Sequence, residues 1–175
     1  MPIKDEAHGR EFFEGAFQQF EKKLVNYAYR LCGKKEMAQD AVGAAFLQLW
    51  NADFVKVQES WPAWIYAVVR YRVIDSLRKD KKLGALSTEQ ETKLRSEAMT
   101  SPELMEEATR DSFLKKWMNE LAPQQSEAIR LKFSEDLSYE QISKVMKISV
   151  SHVGVLIHNG VKILRSRAQE KKDEV

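Results

Sequence analysis

Apolar residues in this chain return every three or four positions, and that period decides what it can fold into. Phe12/Phe13, Ala16/Phe17, Phe20, Leu24, Tyr27/Ala28 and Leu31 keep it through a long first stretch. Met37/Ala38, Ala41/Val42, Ala45/Phe46 and Leu49/Trp50 resume it after Gly33. Asn51 and Asp53 interrupt it, Ser60 and Pro62 reopen it, and Trp61, Trp64/Ile65, Val68/Val69, Val73 and Leu77 form a third stripe. An amphipathic stripe is stable only when something covers it. Three in succession with short connections cover one another most simply as a helical bundle. No strand-like alternation of any length competes, so the expected fold is all-α.

The second half repeats the style with shorter elements. Phe113/Leu114, Trp117/Met118 and Leu121 predict one helix that stops at Ala122-Pro123, and Ala128/Ile129 with Phe133 predict another. Ser138-Tyr139-Glu140-Gln141 has the S-x-x-Q form of a capping box, which starts a helix at Tyr139 with Ile142 and Val145/Met146 inward. Lys147-Ile148-Ser149 breaks it, and Ser149 is the expected N-cap of a last helix carrying Val153, Ile157, Gly160/Val161 and Leu164 inward. Between the halves, residues 83–92 are rich in Ser, Thr and Glu and hold no period, and a new helix start is expected at Ser101-Pro102. The reading is two small helical domains, residues 1–82 and 106–175, joined by a linker over 83–105.

Charge sharpens that division. The 28 Lys and Arg against 26 Asp and Glu leave +2 over 175 residues, spread as +3 on residues 1–82, −2 on 83–105 and +1 on 106–175. A lone cysteine, Cys32, excludes an intramolecular disulfide and any zinc site of several thiolates, and a buried thiol in a reducing cytoplasm is the plain expectation. Runs such as Val153–Ile157 are far short of the ~20 residues of a membrane span. Met1–Glu6 puts acid where a signal peptide has its apolar segment, so a soluble cytoplasmic protein is expected. His8, His152 and His158 make no ligand set with Cys32, and there is no Gly-rich phosphate loop. No enzyme, metal or cofactor is expected.

Two short helices separated by three residues, with Ile148 inside the turn, have helix-turn-helix spacing on the framework Ile142, Met146, Ile148, Val153 and Ile157. An ordinary helical hairpin shares that spacing, and Lys147 stands where Gly often eases the turn. Projected at about 100° per residue, the last helix turns Ser151, Val155, His158, Asn159, Lys162, Arg165 and Ser166 outward. Such a face suits a major groove, with early residues at base edges and Lys162 and Arg165 on phosphates, and it also fits a solvated surface.

The third stripe carries a different chemistry. Arg70, Arg72, Arg78, Lys79, Lys81 and Lys82 crowd thirteen residues, with Tyr71 among them and Trp61 and Trp64 before them. Cations for a backbone and flat rings for unstacked bases are what single-stranded nucleic acid requires. Core positions for the two Trp, Trp64 above all, and a solvated basic helix end answer to the same residues.

In order, the motifs resemble one family. Phe13 and Tyr29-Arg30-Leu31, then Ala38-Gln39-Asp40-Ala41-Val42 through Phe46-Leu47-Gln48-Leu49-Trp50, are similar to the first conserved region of extracytoplasmic-function (ECF) sigma factors, the sigma-70 family of bacterial RNA polymerase subunits. Trp64 to Arg70, followed by Ile74-Asp75-Ser76-Leu77-Arg78-Lys79, resembles their promoter-melting helix. Leu121 to Gln125, Leu137 to Ile142 and Ser149 to Val153 resemble their C-terminal helix-turn-helix.

The resemblance implies a protein that docks on the clamp of the polymerase largest subunit, captures the melted minus-ten element and reads the minus-thirty-five element as duplex. Asp40, Phe46, Leu47, Leu49 and Trp50 then belong to clamp docking, and Asn51 to Trp61 to a loop that accepts a flipped base. Trp61, Trp64, Arg70, Tyr71, Arg72, Arg78 and Lys79 would serve the minus-ten strand. Ser151, His152, Val155, Leu156, His158, Asn159, Lys162 and Arg165 would serve the minus-thirty-five duplex. An anti-sigma factor is a further partner of the family. The chain departs from it in three places. Gly43 and Ala44 replace a Gln-acid pair, Tyr71 replaces an Asn, and Gly154-Val155-Leu156 replace residues that are commonly basic. A free-standing helix-turn-helix regulator without polymerase recruitment is the alternative function.

Overall fold

The three N-terminal stripes become three long helices in the computed structural model, which describes residues 2–3, 7–57, 59–84 and 105–173. They are α1 (Ala7–Cys32), α2 (Lys35–Trp50) and α4 (Trp61–Gly84), with one turn of helix, α3 (Phe54–Val57), between α2 and α4. The chain divides into two compact units, residues 1–97 and 98–175. Residues 85–104, and with them the expected helix start at Ser101-Pro102, lie outside the described residues.

In the first unit the long helices pack pairwise. Ala16, Ala28, Ala38, Ala41 and Ala45 are all buried, which lets the backbones approach, and Leu24, Val42, Leu49, Ile65, Tyr66, Val69 and Val73 fill the interior. Tyr66 meets Tyr27 edge-on at 5.2 Å. α1 ends because Gly33 takes φ 68°, a left-handed turn that its missing Cβ makes cheap, while its N–H donates to Tyr29 O at 2.7 Å. Cys32 is buried, as expected. α3 was not apparent from periodicity. Asp53 starts it, accepting from Val55 N–H on Oδ1 and from Lys56 and Val57 N–H on its carbonyl, each at 3.2 Å.

The second unit comprises α5 (Met105–Glu120), α6 (Pro123–Phe133), α7 (Tyr139–Met146) and α8 (Val150–Asp173). Ser138 Oγ accepts from Gln141 N–H at 3.2 Å, and Gln141 Oε1 accepts from Ser138 N–H at 2.8 Å, so the expected capping box forms. Lys147 closes the next turn at φ 55°, ψ 47°, and Ser149 Oγ caps α8 by accepting from His152 N–H at 3.1 Å. Gly160 lets α8 lie close to α6: a Cβ there would stand 2.6 Å from Ile129 Cδ1 and push that side-chain end aside. Arg167 of α8 pairs with Glu120 of α5 at 3.1 Å, and Lys171 Nζ sits 2.9 Å from the Phe113 ring centroid.

Candidate nucleic-acid and polymerase interfaces

α8 packs against both α6 and α7, which leaves its remaining face for other uses. Ser151, His152, Val155, His158, Asn159, Lys162 and Arg165 are exposed on it. Leu156, expected among the duplex-reading residues, is only 8% exposed and belongs to the core. Contact with two helices buries a wider arc of α8 than one stripe. Leu156, three residues beyond Val153, falls inside that arc. Of the residues expected to meet the duplex, Ser151, His152, Val155, His158 and Asn159 thus remain on the exposed face of α8. No Lys or Arg stands between Val150 and Ile157. The exposed cations Lys162 and Arg165 stand one to two turns further on.

On α4 the cations divide. Tyr71 is 59% exposed, Arg78 and Lys79 are exposed, and Arg70 is half-buried. Lys79 pairs with Asp75 at 2.8 Å; the shared hydrogen bond holds the Asp75 carboxyl below its ordinary range and raises the Lys79 ammonium. Arg72 leaves the expected strand-binding face. Two residues along a helix turn a side chain by about 200° from Arg70. Its Nη2 donates to Gln48 Oε1 of α2 at 3.1 Å, and its Nε is buried without a hydrogen-bond partner. Arg72 joins α4 to α2 instead of facing a strand.

The two Trp expected to stack on bases are both half-buried. Trp61 meets Phe20 edge-on at 4.5 Å and Phe12 at 5.4 Å, so α1 grips its ring. It anchors the start of α4 and is not a platform open on both faces. The loop before it exposes Asn51, Val55, Lys56 and Glu59.

The residues of α2 expected to dock also separate by burial. Asp40 is exposed and Leu47 is 66% exposed, whereas Phe46 and Leu49 are core at 3% and 0%. Phe46 lies in an aromatic cluster with Phe13 and Phe17, and half-buried Trp50 meets Phe13 at 4.8 Å. Phe46 and Leu49, expected to dock on the clamp, are therefore core residues that offer no surface to a partner. Gly43 has open space where a side chain would stand. The exposed side of α2 at this level thus has a gap at Gly43 beside exposed Leu47, flanked by the polar Gln39, Asp40 and Gln48.

Two features escaped the sequence reading. Ile3 is fully buried although it lies outside every α-helix. Phe133, in phase with Ile129 and so expected inward, is 66% exposed at the last residue of α6. With Tyr139, Ile157 and Val161 it borders an open groove rimmed by Lys162 and Arg165.

The chain thus presents a helical bundle with a basic helix end in one unit and a capped helix-turn-helix in the other. Comparison with known proteins agrees. Residues 16–83 match sigma-70 region 2 and residues 114–164 match sigma-70 region 4. The RNA polymerase sigma factor YlaC of Bacillus subtilis is 23% identical over 168 residues, 94% of this chain and 96% of its own. The ECF RNA polymerase sigma factor SigW of the same organism is 24% identical, over 86% of each chain. The fold is shared with the sigma factor RpoE of Bartonella quintana, solved with the anti-sigma factor NepR (TM-score 0.62, 19% identity, 91% of this chain and 98% of that one). The chain belongs to the ECF sigma factors of the sigma-70 family, which act in transcription initiation. Among the described residues no helix is long and apolar enough to cross a membrane.

Proposed function

We propose that this sigma factor divides promoter work between its two units, and that the exposed residues named above, not the buried ones, carry it. The outer face of α2 at Asp40 and Leu47 docks on the clamp of core RNA polymerase. Tyr71, Arg70, Arg78 and Lys79 of α4 hold the melted minus-ten strand, and the 51–60 segment takes its unstacked base. Ser151, His152, Val155 and Asn159 of α8 face base edges of the minus-thirty-five duplex, and Lys162 and Arg165 meet phosphates. The protein does no chemistry of its own, acts in the cytoplasm where the polymerase is, and is held in check by an anti-sigma factor.

One observation carries the reading. A region 2 unit and a region 4 unit follow one another in a single chain, each folded on its own core. In vitro transcription with core polymerase on a promoter library tests it. Enriched promoters should share two elements, and α8 variants should alter only the upstream one. Specific duplex binding with no recruitment of polymerase would favour a free-standing regulator instead.

A further inference from the structure

Ile3 is buried by two neighbours. Its backbone N–H donates to Ala52 O at 3.0 Å, and Pro2 forms an antiparallel bridge with Asp53 beside it. Its backbone crosses the first turn of α1 at Gly9, so closely that a Cβ on Gly9 would collide with the Ile3 carbonyl oxygen. One extended residue pair has no stability of its own, so the buried Ile3 side chain supplies the hold.

The turn held in this way opens the 51–60 segment. Asn51 Nδ2 donates to Leu47 O at 2.8 Å, and Asp53 caps α3. At the far end Trp61 is fixed against Phe12 and Phe20 of α1. Between these anchors Val55, Lys56 and Glu59 are exposed. A segment shaped in advance spares a captured base the cost of ordering it.

We infer that Ile3 is a positioning residue for the minus-ten element, clamping the Ala52–Asp53 turn to α1 and so setting the shape of the segment that takes the unstacked base. This rests on the assignment of residues 51–60 to base capture. Gly9 is the seat of the clamp. Its substitution by Ala would ordinarily favour a helix, but here it evicts Ile3.

The test uses the full chain with Ile3→Ser, Ile3→Val and Gly9→Ala. Amide hydrogen exchange at Ile3 reads the clamp. Transcription with core polymerase on a library randomised in the minus-ten element reads the function. Ile3→Ser and Gly9→Ala should each speed Ile3 exchange and flatten minus-ten base preference by at least tenfold. Core affinity and minus-thirty-five preference should stay unchanged, and Ile3→Val should behave as wild type. Unaltered Ile3 exchange in Gly9→Ala overturns the clamp, and faster exchange with unaltered minus-ten preference overturns its role. A Val55→Ser, Lys56→Ala double variant locates the failure. If it alters the preference, only the clamp is wrong; if it does not, base capture by this segment is wrong and the inference falls with it.

Discussion

Leu47 and Leu49 stand two residues apart on α2 and should fail in opposite ways. Leu49 is fully buried, so Leu49→Ala removes packed methyls and leaves a cavity, at a cost of about 2–5 kcal/mol. For a unit of this size each kcal/mol lowers the melting midpoint by roughly 4–8 °C, so a fall on the order of 10–30 °C is expected. Leu47 is 66% exposed, and Leu47→Gln keeps helix propensity, so the fold should change by no more than about 0.5 kcal/mol.

Docking is the reverse. Burying a whole Leu stabilises by about 1.5–3 kcal/mol, and the two-thirds still exposed can contribute roughly 1–2 kcal/mol at an interface. Core affinity of Leu47→Gln should therefore fall about 5–30-fold. Thermal melting by circular dichroism reads the fold, and competition of labelled protein for core polymerase reads docking. The reasoning is refuted if Leu47→Gln binds core as wild type does, or if it melts as early as Leu49→Ala.

On α8, Asn159→Ala should cost about 1–3 kcal/mol at one base position of a minus-thirty-five duplex library, while Lys162→Ala should weaken all sequences alike and reduce the salt slope by about 1. On α4, Asp75→Asn should release Lys79 and tighten binding of single-stranded oligonucleotide in a titration at low salt. The same pair sets a pH response: the Asp75 carboxyl is lowered, so the pairing is present above its ordinary pKa and is lost only as pH falls through the lowered value, which thermal melts of wild type and Asp75→Asn would reveal by converging in acid. Lys147 occupies a left-handed conformation at φ 55°; strain of about 1–2 kcal/mol, less the extra chain entropy glycine loses on folding, leaves roughly 0.5–1 kcal/mol to be gained by Lys147→Gly, measurable as a higher urea midpoint.

What was legible in the sequence is what local chemistry decides. Ser138 with Gln141, Ser149 and Pro123 mark helix starts because a short polar side chain or a missing N–H answers a need inside one turn. The three-stripe bundle follows from period alone. Legibility stopped where a role depends on which side of a helix is covered. Family position assigned Phe46, Leu49, Leu156 and Arg72 to interfaces. The width of each buried arc depends on how many neighbours a helix has, and that placed the first three in the core and turned Arg72 to Gln48. Ile3 was illegible for another reason. A single residue has no period, and its partner Ala52 is 49 positions away. Gly9 was the available clue, a glycine inside an otherwise regular helix that calls for a close approach of backbone.

These corrections change how the two DNA contacts share the work. The first two turns of α8 hold no Lys or Arg, so whatever they contribute to the minus-thirty-five element comes from groove fit and base-edge contacts. Six cations crowd residues 70–82, and even with Arg72 drawn to α2 and Lys79 paired to Asp75, Arg78, Lys81 and Lys82 remain exposed along the end of α4. On the proposed division of labour, counterion release falls mainly at the unit that carries α4, so added salt should weaken that contact more than one made by the first two turns of α8. In the same reading, the first turns of α8 contribute discrimination among duplexes through base-edge contact and groove fit, and Lys162 and Arg165 supply its phosphate attraction.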